Sequence, residues 1–352
     1  MTKLPYIQVL RACAALSIAI LHAQYDAGLM AAQLGWQFQP FQAVPWAAGV
    51  DVFFVISGFI IVHASRNLFE APGAGKVFLA RRVARVAPLY WTATTLYLAV
   101  ALISPEVLNR SILEPGFVLA SYLFIPLARP DGLVQPLYSL GWTLNYEMYF
   151  YLLFALVLFW PMRRAVIGLA AALAATVVVG GLVALPQPLA FWTNPIVLEF
   201  ALGMGLALLK GEGLVLSRPV RAALVTGGLV LLVGGAAADW PRMIAFGIPA
   251  ALFVAAAALG PDRVRATTWL TRTGSALGDA SYALYLTHPF VIRAGREVLV
   301  GSGLASAIGP WAYIVLAVTG AVLASLLVFR WYERPVTEWI RQRLEPTRLQ
   351  LA

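Results

Sequence analysis

Arg11 and His22 lie in the first apolar stretch of the chain, 11 residues apart. On a helix that spacing is close to three turns, so both project from one face, about 16 Å apart in depth at 1.5 Å per residue. An ionisable side chain inside an apolar segment is costly to keep there and marks a functional hypothesis. An imidazole gains and loses a proton near neutral pH, which suits it to general acid–base work. Helix packing alone rarely requires both an Arg and a His, so this pair reads as functional. Asp51, Glu147 and His288 fall toward the ends of three further apolar stretches. If all four stretches cross a membrane, His22, Asp51, Glu147 and His288 come to a similar depth near the outer surface. Glu199 falls near the middle of another stretch. For Asp51 and Glu199, a helix-locking role and a chemical one stay equally open.

A second constellation is Arg81, Arg82 and Arg85, followed by Pro88 and by Tyr90 and Trp91. Arg81 and Arg85 are spaced i,i+4 and Arg82 and Arg85 i,i+3, so a helix presents them as one cluster. Guanidinium forks match phosphate oxygens in bidentate fashion. From composition alone the simpler reading is a positive anchor for lipid head groups. Trp142, Tyr146 and Tyr149 can stack on sugar faces, and an interfacial aromatic belt explains them about as well. His63 ends the second apolar stretch and reads as interfacial. The three histidines stand on separate stretches and lack the spacing of a zinc motif, so no metal site is expected.

The elements that must position these groups are membrane helices. Of 352 residues, 61% are hydrophobic and 12% charged, about half the charged share of a soluble domain. Such a chain cannot cover its surface with polar groups, so lipid is its expected solvent. The single cysteine, Cys13, excludes an intrachain disulfide and any CxxC site. The net charge of +9 falls in short loops between apolar runs, which is a topology signal rather than a nucleic-acid one. The first apolar stretch has no small-residue cleavage site and reads as a retained span.

Apolar stretches lie near 5–23, 47–64, 87–104, 142–160, 165–185, 190–209, 222–238, 243–260, 276–293 and 309–331. An eleventh, 116–128, is short of the roughly 20 residues a span needs and fits a re-entrant or interfacial piece. If it does not cross, most Lys and Arg residues outside the membrane fall on the side of the N-terminus. If it does cross, the bias reverses. The positive-inside rule therefore predicts about ten spans with both termini cytoplasmic. The expected fold is an all-α polytopic bundle over 1–335, with a short basic cytoplasmic tail over 336–352.

Ordered pieces of the chain resemble a known family. They are LRACAALSIAILH at 10–22, GVDVFFVISGFII at 49–61, RRVARVAPLYW at 81–91, SLGWTLNYEMYFY at 139–151, LEFALGM at 198–204, SYALYLTH at 281–288 and YERP at 332–335. Together they are similar to the acyltransferase-3 family of integral membrane acyltransferases. The opening at 7–16 and the lack of an appended esterase-like domain look most like the bacterial exopolysaccharide acetyltransferases of the succinoglycan type. The resemblance implies about ten helices, acyl-CoA as donor and a carbohydrate acceptor. It implies that Arg11 and His22 are essential, that Arg82 and Arg85 serve the donor, and that Glu147 matches a motif position. It moves the arginine cluster from anchor to coenzyme A site. Asp279 looks peculiar to this sequence and receives no role.

The expected activity is O-acetyl transfer from cytoplasmic acetyl-CoA to a hydroxyl of an exopolysaccharide or a lipid-linked oligosaccharide, in the bacterial inner membrane. Arg81, Arg82 and Arg85 hold the phosphates. His22 takes the hydroxyl proton, and Glu147 or Asp51 orients the imidazole. Arg11 stabilises charge on the donor or orders its channel. Trp142, Tyr146 and His288 contact the acceptor. Direct transfer and an acyl-histidine intermediate both remain open. A transporter or flippase of a lipid-linked sugar is the competing class, and a scaffold of an export complex is a third. Neither an inverted repeat nor paired broken helices support transport.

Overall fold

A computed structural model of the chain describes residues 4–103, 113–261 and 268–344. Fourteen α-helices run through these residues, with no strand beyond an isolated bridge between Ala128 and Val134. They are α1 Pro5–Gln33, α2 Gly49–Ala64, α3 Ala74–Ile103, α4 Pro115–Tyr122, α5 Trp142–Val157, α6 Met162–Leu182 and α7 Leu189–Trp192, then α8 Leu198–Gly211, α9 Arg218–Ala237, α10 Ile248–Ala258, α11 Trp269–Asp279, α12 Ser281–Gly301, α13 Ala305–Val328 and α14 Arg334–Leu344. Among the described residues, six segments are long and apolar enough to cross a membrane: Pro5–Gln33, Trp46–Ala64, Ala74–Ile103, Met162–Leu182, Arg218–Ala237 and Ala305–Leu344. The expectation of an all-helical, multi-pass membrane chain holds.

Several boundaries differ from the sequence reading. α1 runs ten residues past 23, to Gln33. At 1.5 Å per residue it is about 44 Å long, more than the roughly 30 Å hydrocarbon core. The stretch read as one span at 276–293 is two helices, with α11 ending at Asp279 and α12 starting at Ser281. The short stretch at 116–128 supplies only the eight residues of α4. After α13 the chain continues through a π-helical turn, Phe329–Glu333, into α14. The tail expected over 336–352 is thus helical to Leu344. Its last residues, 345–352, lie outside the described residues, as do Lys3, Arg110, Arg263 and Arg265 of the charge argument.

The chain divides into two compact units, residues 1–56 with 213–334, and residues 57–212 with 335–352. In the first, α1 packs on α11, α12 and α13. α1 and α12 run parallel, since Ala15 packs with Leu284, and Ala23 and Ala27 with Ile292. α13 returns beside α12, and the Tyr313 hydroxyl donates to the Ile292 carbonyl at 2.8 Å. α11 lies so close to α1 that a Cβ at Gly278 would overlap the Gln8 carbonyl. In the second unit, α3 and α5 pack together, and Phe78 contacts the rings of Tyr151 and Phe154. Phe150 stacks on Phe200 at 4.4 Å between ring centroids, joining α5 to α8.

Candidate active site

α1 carries Arg11 and His22 on one unbroken helix. Arg11 donates to the Gln8 side chain at 3.0 Å. His22 keeps part of its surface accessible. Its Nδ1 lies 2.7 Å from Nε2 of His288 on α12, and the two rings meet edge to edge with centroids 5.0 Å apart and planes 13° apart. His288 is fully buried. The sequence reading put a carboxylate behind the His22 imidazole, and the structure puts a second imidazole there. Asp51 is fully buried in α2 and accepts from the Arg242 guanidinium at 2.8 Å. It therefore belongs to an ion pair between α2 and the segment before α10.

The sequence reading missed Asp26 and Arg296. Asp26 stands one turn beyond His22 on α1, and Arg296 two turns beyond His288 on α12; their charged atoms are 2.8 Å apart. Both side chains are about nine-tenths buried, and Arg296 also holds Glu297 at 2.7 Å. The missed signal was the run of apolar residues from Ala27 to Ala32, which continues the helix past 23 with no Pro to stop it.

The second unit holds the arginine cluster and Glu147. All three arginines lie inside α3 rather than before it. Arg82 and Arg85 are one turn apart, but their surroundings differ. The Arg82 guanidinium lies over the rings of Phe78 and Tyr151, 5.4 and 6.0 Å from their centroids. The Tyr151 hydroxyl donates to Glu147 at 2.6 Å, and Glu147 lies within electrostatic reach of Arg82. Arg85 is exposed and Arg81 half-buried. Arg85 is thus the most accessible member of the cluster, and Arg82 the one packed between α3 and α5.

Trp142 and Tyr146 meet edge to face, and Tyr146 is covered by Phe191, whose ring lies 3.9 Å away and nearly parallel. Tyr149 stacks on Trp192 in the same way at 5.2 Å. These faces are occupied by protein rings. Asn145, between Trp142 and Glu147, is fully buried, and among the described residues neither its Oδ1 nor its Nδ2 has a hydrogen-bond partner. Glu199 is fully buried at the start of α8. Among the described residues no group of three or more His, Cys, Asp or Glu side chains is gathered as metal ligands.

A family model described as an acyltransferase domain matches residues 4–330. The chain belongs to this family of acyltransferases. It is a multi-pass membrane enzyme that transfers acyl groups. It is 35% identical over 302 residues to the exopolysaccharide production protein ExoZ of Rhizobium meliloti, covering 84% of this chain and 91% of that protein. It is 28% identical over 386 residues to the acyltransferase MdmB of Streptomyces mycarofaciens, covering 97% of this chain and 93% of that protein. No solved structure matches.

Proposed function

We propose that this acyltransferase takes an acyl group, acetyl in the simplest case, from cytoplasmic acyl-CoA and transfers it to a hydroxyl of a bacterial exopolysaccharide or its lipid-linked precursor. The family membership supports the acyl chemistry, and the likeness to an exopolysaccharide production protein supports the carbohydrate acceptor. The observation that carries the reading is His22. It is a partly accessible imidazole on an apolar helix, backed by a second imidazole that is fully buried. That arrangement suits a base better than a packing residue.

In this reading His22 takes the hydroxyl proton as the sugar oxygen attacks the thioester carbonyl carbon. The carbon–sulfur bond then breaks. The departing thiolate recovers the proton from the imidazolium, leaving an O-acyl ester, free coenzyme A and a neutral imidazole. Arg11 is about 16 Å from His22 along α1, out of reach of the reacting carbonyl, so its place is with the donor further along the helix. Arg81 and Arg85 meet the donor phosphates. Glu147 and Tyr151 hold Arg82. Trp142 contacts the acceptor.

The setting is the inner membrane, with about ten crossings and both termini cytoplasmic. The distribution of Lys and Arg supports it, and so does the parallel run of α1 and α12, because parallel spans cross in the same sense. The test is release of coenzyme A and acyl transfer by purified protein given acetyl-CoA and an acceptor oligosaccharide. His22→Ala should abolish both. A matched test compares the acetyl content of surface polysaccharide in a deletion strain complemented with wild type or with His22→Ala. Equal acetylation in the two would overturn the assignment.

A further inference from the structure

We infer that His288 is the positioning residue that fixes the tautomer of His22 and leaves Nε2 of His22 as the reactive nitrogen. The inference rests on the reading of His22 as the base. Its geometry stands independently of that reading.

A proline inside a helix has no N–H to give to the carbonyl four residues back, here that of Tyr285, and its ring pushes that turn open. Pro289 sits within α12, directly after His288. In this turn Nδ1 of His288 lies 2.9 Å from the Leu284 carbonyl oxygen. A carbonyl oxygen only accepts, so Nδ1 of His288 carries a proton and donates it. In a neutral ring the other nitrogen is then bare. That nitrogen, Nε2, lies 2.7 Å from Nδ1 of His22. A bare nitrogen accepts, so Nδ1 of His22 carries the donated proton. Nε2 of His22 is therefore the nitrogen with a free lone pair.

Proton direction thus runs along one line, from His22 Nδ1 to His288 Nε2 and from His288 Nδ1 to Leu284 O. Burial agrees with the roles: His288 has no accessible surface, and His22 keeps some. The one carboxylate on α1, Asp26, is ion-paired to Arg296. His288 therefore does for His22 what a buried carboxylate does in a hydrolase triad: it sets which nitrogen is basic and accepts a stronger hydrogen bond once the ring is protonated. The second imidazole achieves this without placing a negative charge in an apolar helix pair, where an unpaired carboxylate is costly. Because Nε2 is the bare atom, it is also the nitrogen that would carry an acyl group if transfer proceeds through acyl-histidine.

The test compares two replacements of matched length. His288→Gln places an amide oxygen near the Nε2 position and keeps an acceptor, whereas His288→Met fills the space without a comparable one. Loss of the correct tautomer costs a triad enzyme about 10⁴-fold in kcat, and general base catalysis contributes about 10²–10⁴-fold. His288→Met should lower kcat by at least about 10²-fold with KM for acetyl-CoA within about threefold, and His288→Gln should recover at least about tenfold of that loss. Equal activity of the two variants would overturn the inference, since a space-filling role does not distinguish them.

A second measurement needs no activity. The chain has three histidines, so a ¹⁵N-histidine spectrum of the purified protein is tractable, with His63→Gln removing one signal. His22 should appear protonated at Nδ1 and bare at Nε2, and His288→Met should erase that preference. An unchanged His22 signal in His288→Met, or one protonated at Nε2 in wild type, overturns the inference. Wild type with the expected tautomer and no acyl transfer would instead sink the enzymatic reading on which the catalytic role depends.

Discussion

The carboxylate of Asp26 and the guanidinium of Arg296 lie 2.8 Å apart, joining α1 to α12 one turn beyond the imidazole pair on α1. The two helices are therefore keyed by two polar rungs, His22 with His288 and Asp26 with Arg296. Side chains of the second rung are about nine-tenths buried. Removing one partner of a buried ion pair costs about 3–5 kcal/mol, while an apolar replacement of both is often neutral or better. Arg296→Met should thus lower the melting temperature in detergent sharply, and the double variant Asp26→Leu, Arg296→Met should recover most of the loss. Additive destabilisation by the two changes would show that the ion pair is not what joins the helices there.

Asn145 gives the opposite sign. It is fully buried, and among the described residues its amide has no hydrogen-bond partner. An unsatisfied buried polar group costs about 1–3 kcal/mol. Asn145→Leu keeps the branched shape and the number of heavy atoms and removes that cost, so it should raise the melting temperature. A lower melting temperature would mean that the amide makes bonds in the folded protein.

Much of this was legible in the sequence, and the failures have physical causes. Arg11 and His22 could be placed on one helix because apolar periodicity defines a helix and fixes depth along it. The pairing of His22 with His288 was only half legible. Depth follows from position within a span, but the choice of neighbouring helix follows from packing that no local pattern records. Asp26 falls outside the stretch at 5–23 because that stretch ends where the membrane would end, although the helix itself runs on to Gln33. Arg82 and Arg85 looked equivalent because i,i+3 spacing puts them on adjacent faces. Only the rings of Phe78 and Tyr151 make them different.

That difference predicts a kinetic split between the two arginines. Arg85 is exposed, so Arg85→Gln should raise KM for acetyl-CoA about tenfold or more, the scale of a lost charge-assisted hydrogen bond, with the melting temperature unchanged. Arg82→Gln removes a guanidinium packed over two rings and takes a cation from beside the half-buried Glu147. It should lower the melting temperature as well as the activity. Lysine should not rescue Arg82, because an ammonium cannot reproduce the planar contact with the rings. Identical effects of the two substitutions on stability and KM would contradict the division of roles.

The depth of His22 can be tested without any enzymatic assay. Tyr25 lies one turn from His22 along α1 and is 63% exposed. The chain has one native cysteine, Cys13, nine residues before His22. With Cys13→Ser as background, Tyr25→Cys supplies a single thiol at the depth of the imidazole. If the N-terminus is cytoplasmic, α1 carries that thiol to the outer face, and a membrane-impermeant maleimide should label it in intact cells. In inverted vesicles the same reagent should label it only after the membrane is opened. Labelling of Tyr25→Cys from the cytoplasmic side alone would reverse the orientation of α1, and with it the proposed cytoplasmic placement of the N-terminus.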